Sequence, residues 1–260
     1  MPRFAAAIDS LFAELPFLER IAAAAEAGFG AVELADPYGH PPEEIAAALA
    51  EARMEVAMIA TPPGDVAAGE RGLASLPGRV PDFEAGVRRA LDYAAHLRPW
   101  HVHVLAGVSR GPWARSIYVA NLRRACEMAR GQSFTIEPMN LRDAPGYHLV
   151  ETADARTVMD AVGVRNLGLQ LNLYHCQIAE GDVTRRIEAL APVLRHVRIA
   201  GVPEGAEPDR GELALDHVLG VLERVGYRGW IGCAYRPAGR TEDGLGWLAR
   251  RRAVTPATAG

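Results

Sequence analysis

The sequence predicts an α/β fold, a single-domain (β/α)8 TIM barrel, on three observations. Short apolar runs alternate with longer helix-periodic segments along the whole chain, the mark of βα units feeding a parallel sheet. There are eight such units, and eight favour closure into a barrel over an open doubly wound sheet. The length, 260 residues, suits one barrel better than two domains. No Gly-x-Gly-x-x-Gly turn follows the first strand, so a dinucleotide-binding sheet has no support.

Strands are expected over residues 4–9, 31–34, 55–60, 101–105, 134–137, 168–172, 196–200 and 230–235. Helices are expected over 16–27, 42–52, 82–97, 113–130, 152–162, 182–190, 213–225 and 243–251. Pro41 and Pro42 precede Glu43 and Glu44, which sets proline and acid at a first turn. Gly28, Gly30 and Gly226 fall just past helix ends, where a left-handed cap is wanted. The connection 61–79, TPPGDVAAGERGLASLPGR, is long for a compact domain, and such loops commonly serve as lids or binding loops. The barrel is expected to span 1–252 and to be followed by a disordered tail over 253–260.

Composition excludes several classes. Apolar residues make up 49% and charged residues 23%, with a net charge of −4. Nucleic-acid and membrane partners need clustered positive charge, so neither is expected. The chain contains no lysine; its 28 basic residues are all arginine. Schiff-base aldolase chemistry and internal-aldimine chemistry are therefore excluded, and no cofactor is expected. Cys126, Cys176 and Cys233 form no C-x-x-C pair, which suits a reduced, cytoplasmic setting. The N-terminus reads as no signal peptide, and no apolar stretch is long enough to span a bilayer.

Barrel chemistry sits at the C-terminal ends of the strands. Strand two ends near Glu33 and Asp36, and strand four carries His101 and His103. Glu137 terminates strand five in TIEPMN and is followed by Pro138, so the chain leaves the sheet there and the carboxylate faces the mouth. Asn140 follows shortly after. Strand six ends in LNLYH, with Asn172 and His175. Strand seven carries Arg198, and strand eight ends at Ala234 and Tyr235, before Arg236. His101 and His103 are two positions apart and share a face, taken as inward for His103. Cys233 neighbours Ala234 and is expected to point the other way, into the helical layer. Glu137, Arg198 and His175 are the catalytic candidates. Glu33, Asp36, His103, Asn140, Asn172, Tyr235 and Arg236 are the substrate-binding candidates, for a small molecule.

The segments PFLERIAAAAEAGFGAVEL, PPGDVAAGERGLASLPGR, VHVLAG, IEPMNLRDAPGY, LQLNLYHCQ, HVRIAGVP and GCAYRPAGRTEDGLGWL resemble, in order and over nearly the whole chain, the hydroxypyruvate isomerase family. That family belongs to the wider xylose-isomerase-like group of barrels. The resemblance implies interconversion of small 2-oxo acids such as hydroxypyruvate and tartronate semialdehyde. It also implies a divalent metal held by four side chains on strands five to eight. At the matching positions this chain has Glu137, Asn172 where the family has aspartate in a YDIYH-like motif, Arg198 where it has glutamine in HVQIAD, and Ala234 where it has glutamate in CEYRP. The family's aspartate after HVQIA falls on Gly201.

Mg²⁺ and Mn²⁺ want several oxygen ligands, preferably anionic. A guanidinium cannot be deprotonated to serve as one. Two cations about 4 Å apart repel by roughly 4 kcal/mol even at an effective dielectric of 20. No metal is therefore expected at this site, and Arg198 is expected to face Glu137 in its place. Three functions stay open: a metal-independent isomerase, cyclase or lyase that moves a proton on a small carbonyl compound, with natural-product tailoring as one setting; a non-catalytic ligand-binding protein; and a metal-dependent hydroxypyruvate isomerase using Glu33, Asp36, His103 or His175 as substitute ligands. A homodimer is a further expectation.

Overall fold

In the computed structural model, which describes residues 2–253, the predicted apolar runs form strands β1 (Arg3–Ala7), β2 (Ala31–Leu34), β3 (Glu55–Ala60) and β4 (His101–His103). The series continues with β5 (Phe134–Ile136), β6 (Leu167–Asn172), β7 (Leu194–Ile199) and β8 (Trp230–Cys233). They pair in parallel, in chain order, and β8 closes on β1. The helices between them are α1 (Glu19–Ala27), α2 (Pro42–Ala52), α3 (Val80–Leu97), α4 (Ala114–Met128) and α5 (Thr152–Val162). Then come α6 (Leu173–Ala179), α7 (Val183–Leu190), α8 (Leu215–Arg224) and α9 (Gly246–Ala253). Among the described residues no helix is long and apolar enough to cross a membrane.

The strands divide their side chains by alternation. One face of each strand feeds the main apolar core beneath the helices: Val32 and Leu34, Val102 and Val104, Phe134 and Ile136, Ile231 and Cys233. Cys233 thus points where the sequence placed it. The other face lines the barrel. At its N-terminal end Trp230 packs against Ala5, Ala31 and Ala57. Above that floor the interior is polar. His101, His103, Thr135, Glu137, Gln170 and His196 are all buried, where barrels more often stack branched aliphatics.

Several boundaries differ from expectation. β4 stops at His103 and β8 at Cys233, each sooner than predicted, because the chain peels off into the loops that build the mouth. The short helix α6 was not anticipated. Its residues follow directly on the strand expected over 168–172, and Asn172 caps it, the side-chain oxygen accepting from the Tyr174 N–H at 3.1 Å. The last helix runs through Ala253, one residue into the predicted tail. The remainder of that tail lies outside the described residues.

The long β3–α3 connection is held down at several points. Gly72 bridges Ala106, Ser75 Oγ donates to the Ala106 carbonyl at 2.8 Å, and Asn121 Nδ2 donates to the Ala74 carbonyl at 2.9 Å. Gly72 has φ +114°, and a Cβ there would lie 2.4 Å from the Leu105 carbonyl oxygen. Gly72→Ala is therefore expected to destabilise this loop by about 1–3 kcal/mol. Trypsin cleavage at the exposed Arg71 should accelerate accordingly, and an unchanged rate would show that the loop is not pinned there.

Candidate active site

Two buried clusters occupy the upper half of the barrel. In the first, Glu33 is fully enclosed and divides its oxygens. Oε1 meets His196 Nε2, and Oε2 accepts from Arg198 Nε at 2.8 Å, with Nη2 of the same guanidinium 2.7 Å away. Burial acts to raise the Glu33 pKa, but the charges of Arg198 and His196 outweigh it and hold the carboxyl at about 2. Burial likewise opposes the Arg198 charge, yet Glu33 and Glu137 more than compensate, so the guanidinium stays protonated.

The second cluster centres on Glu137, which is 3% exposed. Its Oε2 accepts from Gln170 Nε2 at 2.6 Å. Arg198 Nη1 is 3.9 Å from that same oxygen, and His175 Nε2 is 3.9 Å from Oε1. Desolvation pushes the Glu137 pKa up, and the neighbouring cation Arg198 leads the effects that bring it below the usual carboxylate range. Asn140 Nδ2 lies 2.7 Å from His175 Nδ1 and fixes that ring. With Nδ1 accepting, a neutral imidazole carries its proton on Nε2, the nitrogen nearer Glu137. Burial keeps His175 below its ordinary pKa and holds His103 at about 4.

A cleft of about 320 Å³ opens above these clusters, at the C-terminal mouth, the low end of the range for small-molecule sites. Arg198, His175, Asn172 and Arg236 line it, as the sequence placed them. Asp9, Ser10, Asp143 and Tyr174 line it too, and sequence reasoning missed them. Asp9 follows the end of β1, where its carboxylate accepts from the backbone N–H groups of Ala35 at 2.6 Å and Asp36 at 3.2 Å.

Four expectations need correction. Arg198 does not pair first with Glu137; its close partner is Glu33. Glu33 in turn lies inside the barrel, saturated by His196 and Arg198, and does not reach the cleft as a substrate contact. Asp36 is exposed and contributes a backbone N–H to Asp9, while its side chain does not line the cleft. The Tyr235 ring belongs to the apolar core, and its hydroxyl faces Trp247 Nε1 at 3.4 Å, so only the edge of the residue borders the cleft. His101 points inward like His103, but at the N-terminal end, its Nδ1 2.9 Å from Ser133 Oγ.

The four positions that would hold a divalent ion do not fit one. Arg198 is a cation anchored on Glu33. Asn172 has its oxygen engaged at the start of α6. Ala234 brings a methyl group to the cleft, and Glu137 remains as the one carboxylate of the four. Among the described residues no group of three or more His, Cys, Asp or Glu side chains is placed to hold a metal ion.

Fold and mouth together define a class: a (β/α)8 barrel with its candidate site at the C-terminal ends of the strands. Residues 21–251 match the family described as xylose isomerase-like TIM barrel, and the chain belongs to that family. It is 45% identical over 254 residues to a 2-oxo-tetronate isomerase of Cupriavidus necator, covering 95% of this chain and 98% of that one. It is 39% identical over 254 residues to the hydroxypyruvate isomerase of Escherichia coli, covering 95% and 98%. A Brucella melitensis crystal structure described as AP endonuclease, family 2, superposes with a TM-score of 0.94 at 43% identity, covering 96% of this chain and 99% of that one.

Proposed function

We propose that this chain is an isomerase of small 2-oxo acids that moves a proton with Glu137, Arg198 and His175, and that it does so without the divalent ion. One observation carries the reading. Arg198, a permanent cation lining the cleft, has Nη1 3.9 Å from the buried Glu137 carboxylate, at the position where the family resemblance implies a metal ligand. The names of the two isomerase relatives support the substrate class.

The chemistry follows from the groups in place. A proton on the carbon beside a ketone is acidic only when the charge that develops on the oxygen is stabilised. Ionised Glu137 removes that proton. The Arg198 guanidinium and the His175 Nε2–H stabilise the resulting enediolate, the hydroxyl proton passes from the one enediolate oxygen to the other, and Glu137 returns the carbon-bound proton to the former carbonyl carbon. With alanine at 234, one carboxylate performs both transfers. Ala7, Ala200, Gly205 and Ala234 around the cleft leave room for a substrate bulkier than hydroxypyruvate, which would suit a tailoring reaction on a larger carbonyl compound.

The test is deuterium incorporation from D2O into hydroxypyruvate or 2-oxo-tetronate, followed by NMR with excess chelator present. Exchange is expected to persist under chelation, and Glu137→Gln is expected to slow it by about 10²–10⁴-fold. Exchange that appears only on adding Mg²⁺ or Mn²⁺ would overturn the metal-free chemistry. Undiminished exchange in Glu137→Gln would overturn the role of that carboxylate. Binding without exchange in the unaltered protein would favour the non-catalytic reading.

A further inference from the structure

We propose that Glu33 is the positioning residue for Arg198, and that it thereby sets the place and direction in which the cleft receives a planar oxyanion, a carboxylate or an enediolate. The inference rests on the reading that Arg198 meets the substrate.

Glu33 stands on β2 and Arg198 on β7, with β8 and β1 between them in the closed sheet. The side chains of those two intervening strands must leave a passage for the contact to form. Ala7 pairs in register with Glu33, and Gly232 pairs in register with Arg198. A Cβ built on Gly232 would fall 1.6 Å from Glu33 Oε1. The smallest residue on β8 is thus what lets a carboxylate from β2 cross the barrel to β7.

The hydrogen-bond inventory gives the direction. A guanidinium has five N–H donors in a rigid plane. Nε donates to Glu33 Oε2 at 2.8 Å, and Nη2 lies 2.7 Å from the same oxygen as an ion-pair contact. That fixes the plane and leaves the Nη1 and outer Nη2 protons as the free edge. Arg198 is 16% exposed and lines the cleft, so this free edge is what an entering anion meets. Two parallel N–H groups on one edge suit a planar oxyanion taken bidentately.

The same tether keeps Arg198 from collapsing onto Glu137, which is 3.9 Å from Nη1. A guanidinium released from Glu33 would close that distance, and the two groups that must each meet substrate would satisfy one another. His196 completes the arrangement by occupying the other Glu33 oxygen. The carboxylate then cannot rotate away from Arg198 without leaving a buried partner unpaired. Glu33 and Gly232 therefore act through Arg198, without contact with substrate.

The probe is oxalate, a planar dianion, titrated calorimetrically into the full chain, with circular dichroism and thermal melts to verify that each variant is folded. The unaltered protein is expected to bind oxalate, and Arg198→Gly to lose it. Glu33→Asp keeps the charge but shortens the arm. Gly232→Ala keeps every charge and displaces the arm. Both are expected to weaken oxalate at least tenfold, as is Glu33→Gln. Added guanidinium ion should restore oxalate binding to Arg198→Gly, and should fail to restore it in Arg198→Gly combined with Glu33→Gln. A purely structural role for Glu33 would not produce that dependence. Unchanged oxalate affinity in both Glu33→Asp and Gly232→Ala, or equal guanidinium rescue with and without Glu33, would overturn this inference alone. No oxalate binding by the unaltered protein would overturn the anion role of Arg198 and this inference together.

Discussion

Arg198→Met is expected to abolish proton exchange on 2-oxo acids and to lower the unfolding free energy by about 3–5 kcal/mol, the usual consequence of removing one partner of a buried ion pair. The stability loss arises because Glu33 has no solvent to turn to. It is fully enclosed, and with the guanidinium gone its charge is left facing His196 alone. The loss of turnover has a separate origin. Removing one preorganised donor to a developing oxyanion typically lowers kcat by about 10²–10³-fold, and here the guanidinium is the sole fixed cation that the proposed chemistry uses. The double variant Glu33→Gln, Arg198→Met separates the two effects. Neutralising both partners removes the stranded charge, so most of the stability should return in urea unfolding while exchange stays lost. A double variant as unstable as Arg198→Met would mean that the pair matters for packing, not for charge. A double variant that recovers exchange would mean that Arg198 does not stabilise the enolate.

The fold was legible because its signal is periodic. The apolar faces of the strands and the amphipathic faces of the helices repeat eight times, and a closed parallel sheet is the arrangement that buries both at once. The mouth was legible wherever the strand-end rule applies, which is why Glu137, Asn172, His175 and Arg198 come together as expected. Two things were not. The first is partner choice. Glu33 on β2 and Glu137 just past β5 are both inward carboxylates, and nothing local says which one takes Arg198. That depends on the empty volume at Gly232 and Ala7, on strands far away in sequence. The second is the layer below the rim. Counting back two residues from Asn172 and from Arg198 reaches Gln170 and His196, both inward and both bonded to the site carboxylates, so the period-2 rule could have found them. Asp9 escaped because it was read as the last residue of a strand that in fact ends at Ala7. Past that end the chain turns, and its side chain enters the mouth by way of backbone amides contributed by the β2 loop.

Acid is expected to unfold this protein well before it titrates the folded carboxylates, and the barrel interior gives the reason. Burial and the neighbouring His196 hold His101 at about 3, and burial holds His103 at about 4; in the unfolded chain each titrates near 6.5. The sign follows from proton uptake. Between pH 6.5 and the folded pKa values, the unfolded state binds these protons and the folded state does not, so stability rises with pH and falls on acidification. At pH 5 the solution is about 1.5 units below the unfolded pKa of each histidine, which corresponds to about 2 kcal/mol lost per group relative to neutral pH. The depressed pKa of Glu33, about 2, works in the same direction but lower down. Its contribution is complete above the unfolded value near 4.5 and is lost as pH falls from there towards 2. Urea midpoints should therefore drop between pH 7.5 and 5 by the equivalent of about 4 kcal/mol, before the Glu33 contribution begins to be lost. His101→Gln should remove about half of that slope, since glutamine can keep the contact with Ser133 and takes up no proton. Equal midpoints at the two pH values would mean that the interior histidines ionise in place. The polar column through the barrel would then be hydrated and adaptable, not the closed and preorganised layer that the proposed role of Glu33 requires.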